Sequence, residues 1–206
     1  PCSQGHCMTE QAPLIHGMED SPRGKLLSAA AQLFRQYGFD RTTVRAIARE
    51  VGIQSGSLFH HFDSKEDILF AVMEEVIHFN TQRLSDLMAA ESTAEGRLLA
   101  LIRGELQSIV GDTSEAMIVL VQEWRCLAPE RQQQALALRG IYEQLWLDVL
   151  TELHEQGAFR ADPFIMRRLL NGMTSWTANW FHHEGSVDME ELARIMLERV
   201  IGEPRG

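Results

Sequence analysis

The sequence predicts an all-α protein: an N-terminal three-helix domain containing a helix-turn-helix, and a larger helical C-terminal domain, with about nine helices in total. Three observations predict it. Apolar residues recur at three- and four-residue spacing through most of the chain. No segment sustains period-2 alternation, and no Asn-Gly hairpin turn occurs. Helix start and stop signals punctuate the chain at intervals that suit helices of ordinary length.

Taken in order, Leu26, Ala30, Leu33, Phe34 and Tyr37 mark one face of a first helix that Gly38 stops. Thr42-Thr43 opens a second, Val44 to Val51, closed by Gly52. Gln54 or Ser55 opens a third, to about Phe62. Ser64-Lys65-Glu66-Asp67 is an N-cap with an acid three residues on, ahead of a long helix to about Ala90. Ser92 to Glu95 repeats that pattern for a helix to about Gly111, and another runs from Thr113 to Cys126. Pro129 stands where a first helical residue belongs, and its helix reaches about Glu155 with Gly157 behind it. Asp162-Pro163 opens an eighth helix to about His183, and Ser186 or Val187 opens a ninth that ends before Gly202. Residues 1–20 carry no such pattern and read as a disordered tail or a purification remnant. The expected domains are therefore 21–66 and 67–206.

Composition bounds the function. At 206 residues with 45% apolar content, the chain is a globular protein with room for a core. It has no apolar run of transmembrane length and no secretory leader pattern. Cys2 and Cys7 lie in the tail and Cys126 stands alone, which is no disulfide framework; a reducing cytoplasm is the expected setting. No membrane partner and no cofactor is expected. There is no Gly-rich phosphate loop, no HExxH, no CxxC and no G-x-S-x-G, so no catalytic residue or metal site is assigned and an enzyme is not expected. The net charge of −10 argues at first against nucleic acid. It is unevenly distributed, however. Seven Lys and Arg stand against four acids between Ser21 and Glu66, whereas 12 Arg face 22 acids from Asp67 onward. A basic segment joined to an acidic one suggests two tasks in one chain.

The basic segment has helix-turn-helix form, with Ala46, Ile47, Val51, Ile53, Leu58 and Phe62 spaced to pack its helices together. The second helix of such a pair enters the major groove by its N-terminal end, which here offers Gln54, Ser55, Gly56, Ser57, Phe59, His60 and His61. Small residues there allow close backbone approach. His60 and His61 are adjacent, so their side chains diverge by about 100° on a helix, which disfavours a shared metal.

The run from Ala30 to Leu69, with Phe34, Gly38, Thr42-Thr43, Ile47-Ala48, Gly52, Gly56, Leu58, His61-Phe62 and Ser64-Lys65-Glu66, resembles the N-terminal domain of the TetR family of repressors. The resemblance implies that Thr42 and Thr43 lie at the DNA, with Thr43 capping the second helix and touching a phosphate. It implies that Arg45 reaches a base edge or phosphate, that Gln54, Ser55 and Ser57 read bases or phosphates, and that Lys65 clamps a phosphate. Two positions depart from the family: Phe59 replaces a common Tyr and Ser55 a common Lys or Arg, which removes two phosphate donors and predicts moderate affinity and salt dependence.

The same resemblance implies a C-terminal domain that dimerises and binds a small effector. The eighth and ninth helices are apolar over much of their surface, and Leu169, Gly172, Met173, Trp176, Trp180, Leu192 and Met196 are the expected homodimer interface. A twofold axis would set two recognition helices on successive major grooves, roughly 34 Å apart, on a pseudopalindromic double-stranded operator. Met88, Leu120, Trp124, Arg125, Trp146 and Trp176 are the expected effector contacts, although a Met or aromatic stripe at helical spacing also describes plain core. The stretches 123–131 and 171–181 resemble the branch of the family that answers to acyl-CoA thioesters, so the effector is expected to be lipophilic or acyl-CoA-like. Arg125 would meet its anionic head, with Arg167 and Arg168 as further candidates.

Overall fold

The structure, a computed structural model, describes residues 21–58, 61–111, 113–182 and 185–202. Within them the chain forms nine α-helices and no strand: α1 Pro22–Tyr37, α2 Val44–Glu50, α3 Ser55–Leu58, α4 Lys65–Ala89, α5 Ala94–Val110, α6 Ser114–Gln122, α7 Pro129–Glu155, α8 Pro163–Trp176 and α9 Met189–Ile201. The expected tail falls outside the described residues. No helix is long and apolar enough to cross a membrane among the described residues.

Side-chain caps set most helix starts. Ser21, Thr43, Ser64, Thr93, Asp162 and Asp188 each accept a backbone N–H of the first turn they precede. Two of these correct the reading above. Thr93, not Ser92, caps α5, and Asp188 caps α9, so that helix opens later than Ser186 or Val187. Two helices are shorter than their periodicity suggests. α6 ends at Gln122 and is followed by a 3₁₀ turn at Trp124–Cys126, and Pro129 at the head of α7 holds Ala128 in extended backbone. α8 ends at Trp176 instead of near His183. Thr174 Oγ1 lies within reach of the Leu170 and Asn171 carbonyls, the Thr177 hydroxyl donates to the Thr174 carbonyl, and the chain passes into a 3₁₀ turn at Thr177–Asn179.

The helices enclose two apolar clusters. The first joins α1, α2, α3 and the first half of α4 to Ala116, Val119 and Leu120 of α6 and Leu127 and Ala135 beyond it; Phe34, Ile47 and Leu69 are fully buried there. The second joins Leu84 at the far end of α4 to α5, α7, α8 and α9. α4 thus passes from one core to the other, with buried Asn80 between them. The Ser108 and Thr113 hydroxyls donate to Asn80 Oδ1, and Asn80 Nδ2 donates to Met117 Sδ, so every polar atom at this divide has a partner.

Candidate nucleic-acid interface and effector domain

α2 and α3 are joined by a tight turn. Gly52 has φ 73°, a left-handed conformation that favours glycine, and the Ile53 N–H donates to the Ala48 carbonyl across it. Leu58 and Ile47 lock the pair onto Phe34 of α1. Ile53 was expected to join this packing but is 39% exposed, since the turn carries it outward past the last turn of α2.

The reader face collects Thr43, Arg45, Gln54, Gly56 and Ser57, all exposed, with Ser55 half-buried. The Thr43 hydroxyl oxygen accepts the Ala46 N–H at 3.1 Å, so it acts as the cap the resemblance implies. Phe59 and His60 lie outside the described residues. Three other expected contacts stand apart from this face. Thr42 is 2% exposed, and its hydroxyl donates to the Gly38 carbonyl at 2.8 Å and the Leu33 carbonyl at 3.1 Å, so it fastens the end of α1. The Lys65 ammonium donates to the carbonyls of Phe39 at 2.6 Å and Thr42 at 2.9 Å and sits 4.1 Å from the Phe39 ring centroid, so it holds the α1–α2 loop. His61 is exposed but lines an open cleft of about 620 Å³ with Arg23, Phe62, Phe70, Glu74 and Arg131, between the first helices, α4 and α7.

The six expected effector contacts are divided between the two apolar clusters and the surface. Leu120 and Trp124 belong to the first cluster, because α6 turns its apolar face toward α1. Met88 and Trp146 belong to the second, Arg125 is exposed, and Trp176 is 66% exposed on α8. Trp146 is fully buried beneath the Arg167 guanidinium, 4.2 Å from ring centroid to carbon.

Arg167 is itself 1% exposed and held by two carboxylates. Its guanidinium makes two bonds to Glu105, at 2.8 and 3.0 Å, and two to Glu143, both at 3.0 Å. Thr174 Oγ1 and the Tyr142 hydroxyl donate to Glu105 as well. Burial works to lower the Arg167 pKa, but the two carboxylates outweigh it and hold the guanidinium charged beyond the ordinary range. Burial, and then the Glu105 charge, push the Tyr142 hydroxyl well above its ordinary value. Arg167 is therefore a structural cation joining α5, α7 and α8, not an open anchor for an anionic ligand. Arg168 is exposed, over Phe164.

The expected dimer residues do converge. All seven line a single, mostly apolar groove of about 540 Å³ between α8 and α9, joined by Ile195 and Arg199. Trp176, Leu169 and Trp180 are 66%, 57% and 46% exposed there. Sequence reasoning missed the contacts across the cleft, Asp67 with Arg131 and Glu66 with the Ala128 N–H, which join residues more than 60 positions apart and carry no local signal.

A family profile described as "Bacterial regulatory proteins, tetR family" matches residues 26–72, and one described as "Tetracyclin repressor-like, C-terminal domain" matches residues 91–202. The HTH-type transcriptional repressor KstR2 of Rhodococcus jostii (strain RHA1) is 32% identical over 184 residues, covering 87% of this chain and 89% of the relative. The structure of the ketosteroid transcriptional regulator KstR2 of Mycobacterium tuberculosis matches with a TM-score of 0.77 at 28% identity, covering 92% of this chain and 100% of that one. The crystal structure of superantigen PfiT matches with a TM-score of 0.82 at 56% identity, covering 90% of this chain and 98% of that one.

Proposed function

Because the chain belongs to the TetR family of DNA-binding transcriptional regulators, we propose that it is a repressor that binds a pseudopalindromic operator as a homodimer and releases it on binding a lipophilic or acyl-CoA-like effector. The observation that carries this reading is the pairing of two surfaces on one chain. A small, polar face at Thr43, Arg45 and Gln54–Ser57 suits a major groove, and an apolar groove on α8 and α9 suits a second copy. The name of the KstR2 relatives supports repression, and the apolar second cluster supports a lipophilic effector.

α4 carries the mechanism. Its first half packs with the reader and its far end with the effector domain, so a ligand that favours one arrangement of the second cluster can alter the separation of the two recognition helices. An effector must favour one state by about 1–3 kcal/mol to matter. Titrating duplex binding against salt tests the DNA half: sequence-preferring binding that weakens as salt rises is expected, and its absence at low salt overturns the reading. Light scattering tests the dimer. Trp176→Arg is expected to leave a folded monomer, because the ring is mostly exposed in the single chain, and to lose operator binding.

The 56% identity to PfiT favours a second reading, an activity on T cells. Proliferation of T cells exposed to the purified chain tests it, and no response at any concentration ends it.

A further inference from the structure

Three consecutive residues at the head of α4 reach in different directions. Lys65 holds the α1–α2 loop. The Glu66 carboxylate accepts the Ala128 N–H at 2.7 Å. Ala128 precedes Pro129, has no side chain that could cap, and heads the 27-residue α7, so Glu66 supplies from another helix the carboxylate that meets its first free N–H, beside Glu130 of α7's own first turn. Asp67 divides its carboxylate. Oδ2 accepts the Ser64 hydroxyl at 2.8 Å, completing the cap of α4, and Oδ1 meets Arg131 of α7 at 2.5 Å. The Arg131 guanidinium is fixed on its other sides by the Phe70 ring, 4.6 Å away, and by Gln134 at 3.1 Å. Gln132, one residue on, donates to the Leu127 and Trp124 carbonyls and fastens the 3₁₀ turn to α7.

We propose that Glu66, Asp67 and Arg131 form the joint that sets the angle of the recognition helix against the effector domain, and so act as positioning residues for operator binding although none lies on the reader face. The inference rests on the repressor reading above and names where its coupling passes. The physical case is one of geometry more than strength. Arg131 and Asp67 are 36% and 24% exposed, so their pair adds little to stability. Its orientation is nonetheless fixed by a ring, a cap hydroxyl and an amide, and it lies only a short segment after α3. A swing of the reader that carries the head of α4 away from α7 must break the Asp67–Arg131 contact and take Glu66 off the Ala128 N–H. The stretch 123–131 thus serves the reader through Ala128 and Arg131, whereas Arg125, the residue expected to meet a ligand, faces solvent.

The test uses an operator selected by the full chain from random duplexes, and versions of it with the half-sites moved apart or together by one base pair. Wild type is expected to discriminate sharply between spacings. Arg131→Gln is expected to flatten that discrimination by about fivefold or more, the range in which coupling between sites is felt, while its melting temperature and its binding to a single half-site stay near wild type. Arg131→Lys, which keeps the charge but not the planar stack, should fall between. The double variant with Asp67→Asn should be no flatter than Arg131→Gln alone. Should Arg131→Gln melt below the working temperature, Glu66→Ala replaces it and must flatten the discrimination as well. Unchanged spacing discrimination in a folded variant overturns the joint. Failure of wild type to select any operator overturns the repressor reading instead, so the two failures are told apart.

Discussion

The two apolar clusters that α4 connects are built differently. The first, around Phe34, Ile47, Leu58 and Leu69, is held by hydrocarbon packing, and its ionic contacts lie at its rim. The second encloses a guanidinium, the Glu105 carboxylate and a hydroxyl, with Arg167 stacked on Trp146 at its centre. A hydrocarbon core holds its helices together but tolerates small sliding. A buried, fully bonded charge tolerates almost none, because any shift leaves a group without its partner. The difference suggests a fixed register among α5, α7 and α8, against which the reader can move.

The largest effect is expected in the first cluster. Phe34→Ala should destabilise the chain by about 3–5 kcal/mol through lost contacts and a cavity, measured by urea unfolding. Glu105→Gln should cost about 3 kcal/mol, since Arg167 then faces only Glu143. A paired replacement, Glu105→Leu with Arg167→Met, sharpens the contrast. If the buried ions supply register more than strength, this variant should regain most of the lost stability while broadening the amide spectrum of α8, and a double variant as weak as Glu105→Gln would refute that division of roles.

Two pH effects are smaller. Tyr142 is held neutral in the folded chain by burial and by Glu105, so the unfolded chain releases its proton first as pH rises. Stability should fall above pH about 10, and Tyr142→Phe should remove part of that slope in urea melts. Asp67 behaves in the opposite sense. Burial works to raise its pKa, but the Ser64 hydroxyl and Arg131 outweigh it and hold the carboxyl below the ordinary range. Its contribution is present at neutral pH and is lost as pH falls through that lowered value; Asp67→Asn should flatten this acid limb, and an unaltered limb would show that other carboxylates dominate it.

Much of this molecule was legible in the sequence wherever the determining contact is local. Ser64 and Asp162 announce their helices, Gly38 and Gly52 announce the turns, and Pro129 announces the head of α7. Seven residues of the α8–α9 groove were readable because helical spacing puts Leu169, Gly172, Met173 and Trp176 on one face of α8 and Leu192 and Met196 on one face of α9, and the family resemblance paired the two faces. What depended on a partner distant in the chain was not readable. Lys65 carries the right charge for a phosphate but finds three carbonyls of the α1–α2 loop. Arg167 looks like an anion anchor until Glu105 and Glu143 are placed on it. Leu120 and Trp124 have the composition of a pocket wall, yet α6 packs on α1, and no periodicity within α6 tells which neighbour its apolar face will meet. Charge changes sign near Glu66, whereas the cores part farther along α4, between Ile77 and Leu84.

The contact of Glu66 with Ala128 also bears on how the protein is made. The reader leaves the ribosome before α6 and α7, but its core borrows Val119 and Leu120, and the head of α4 is tied to residues 62 and 64 positions later. Closing loops of that length is slower than forming the local helices. The core of the reader is therefore expected to be completed only once α6 and the head of α7 have emerged.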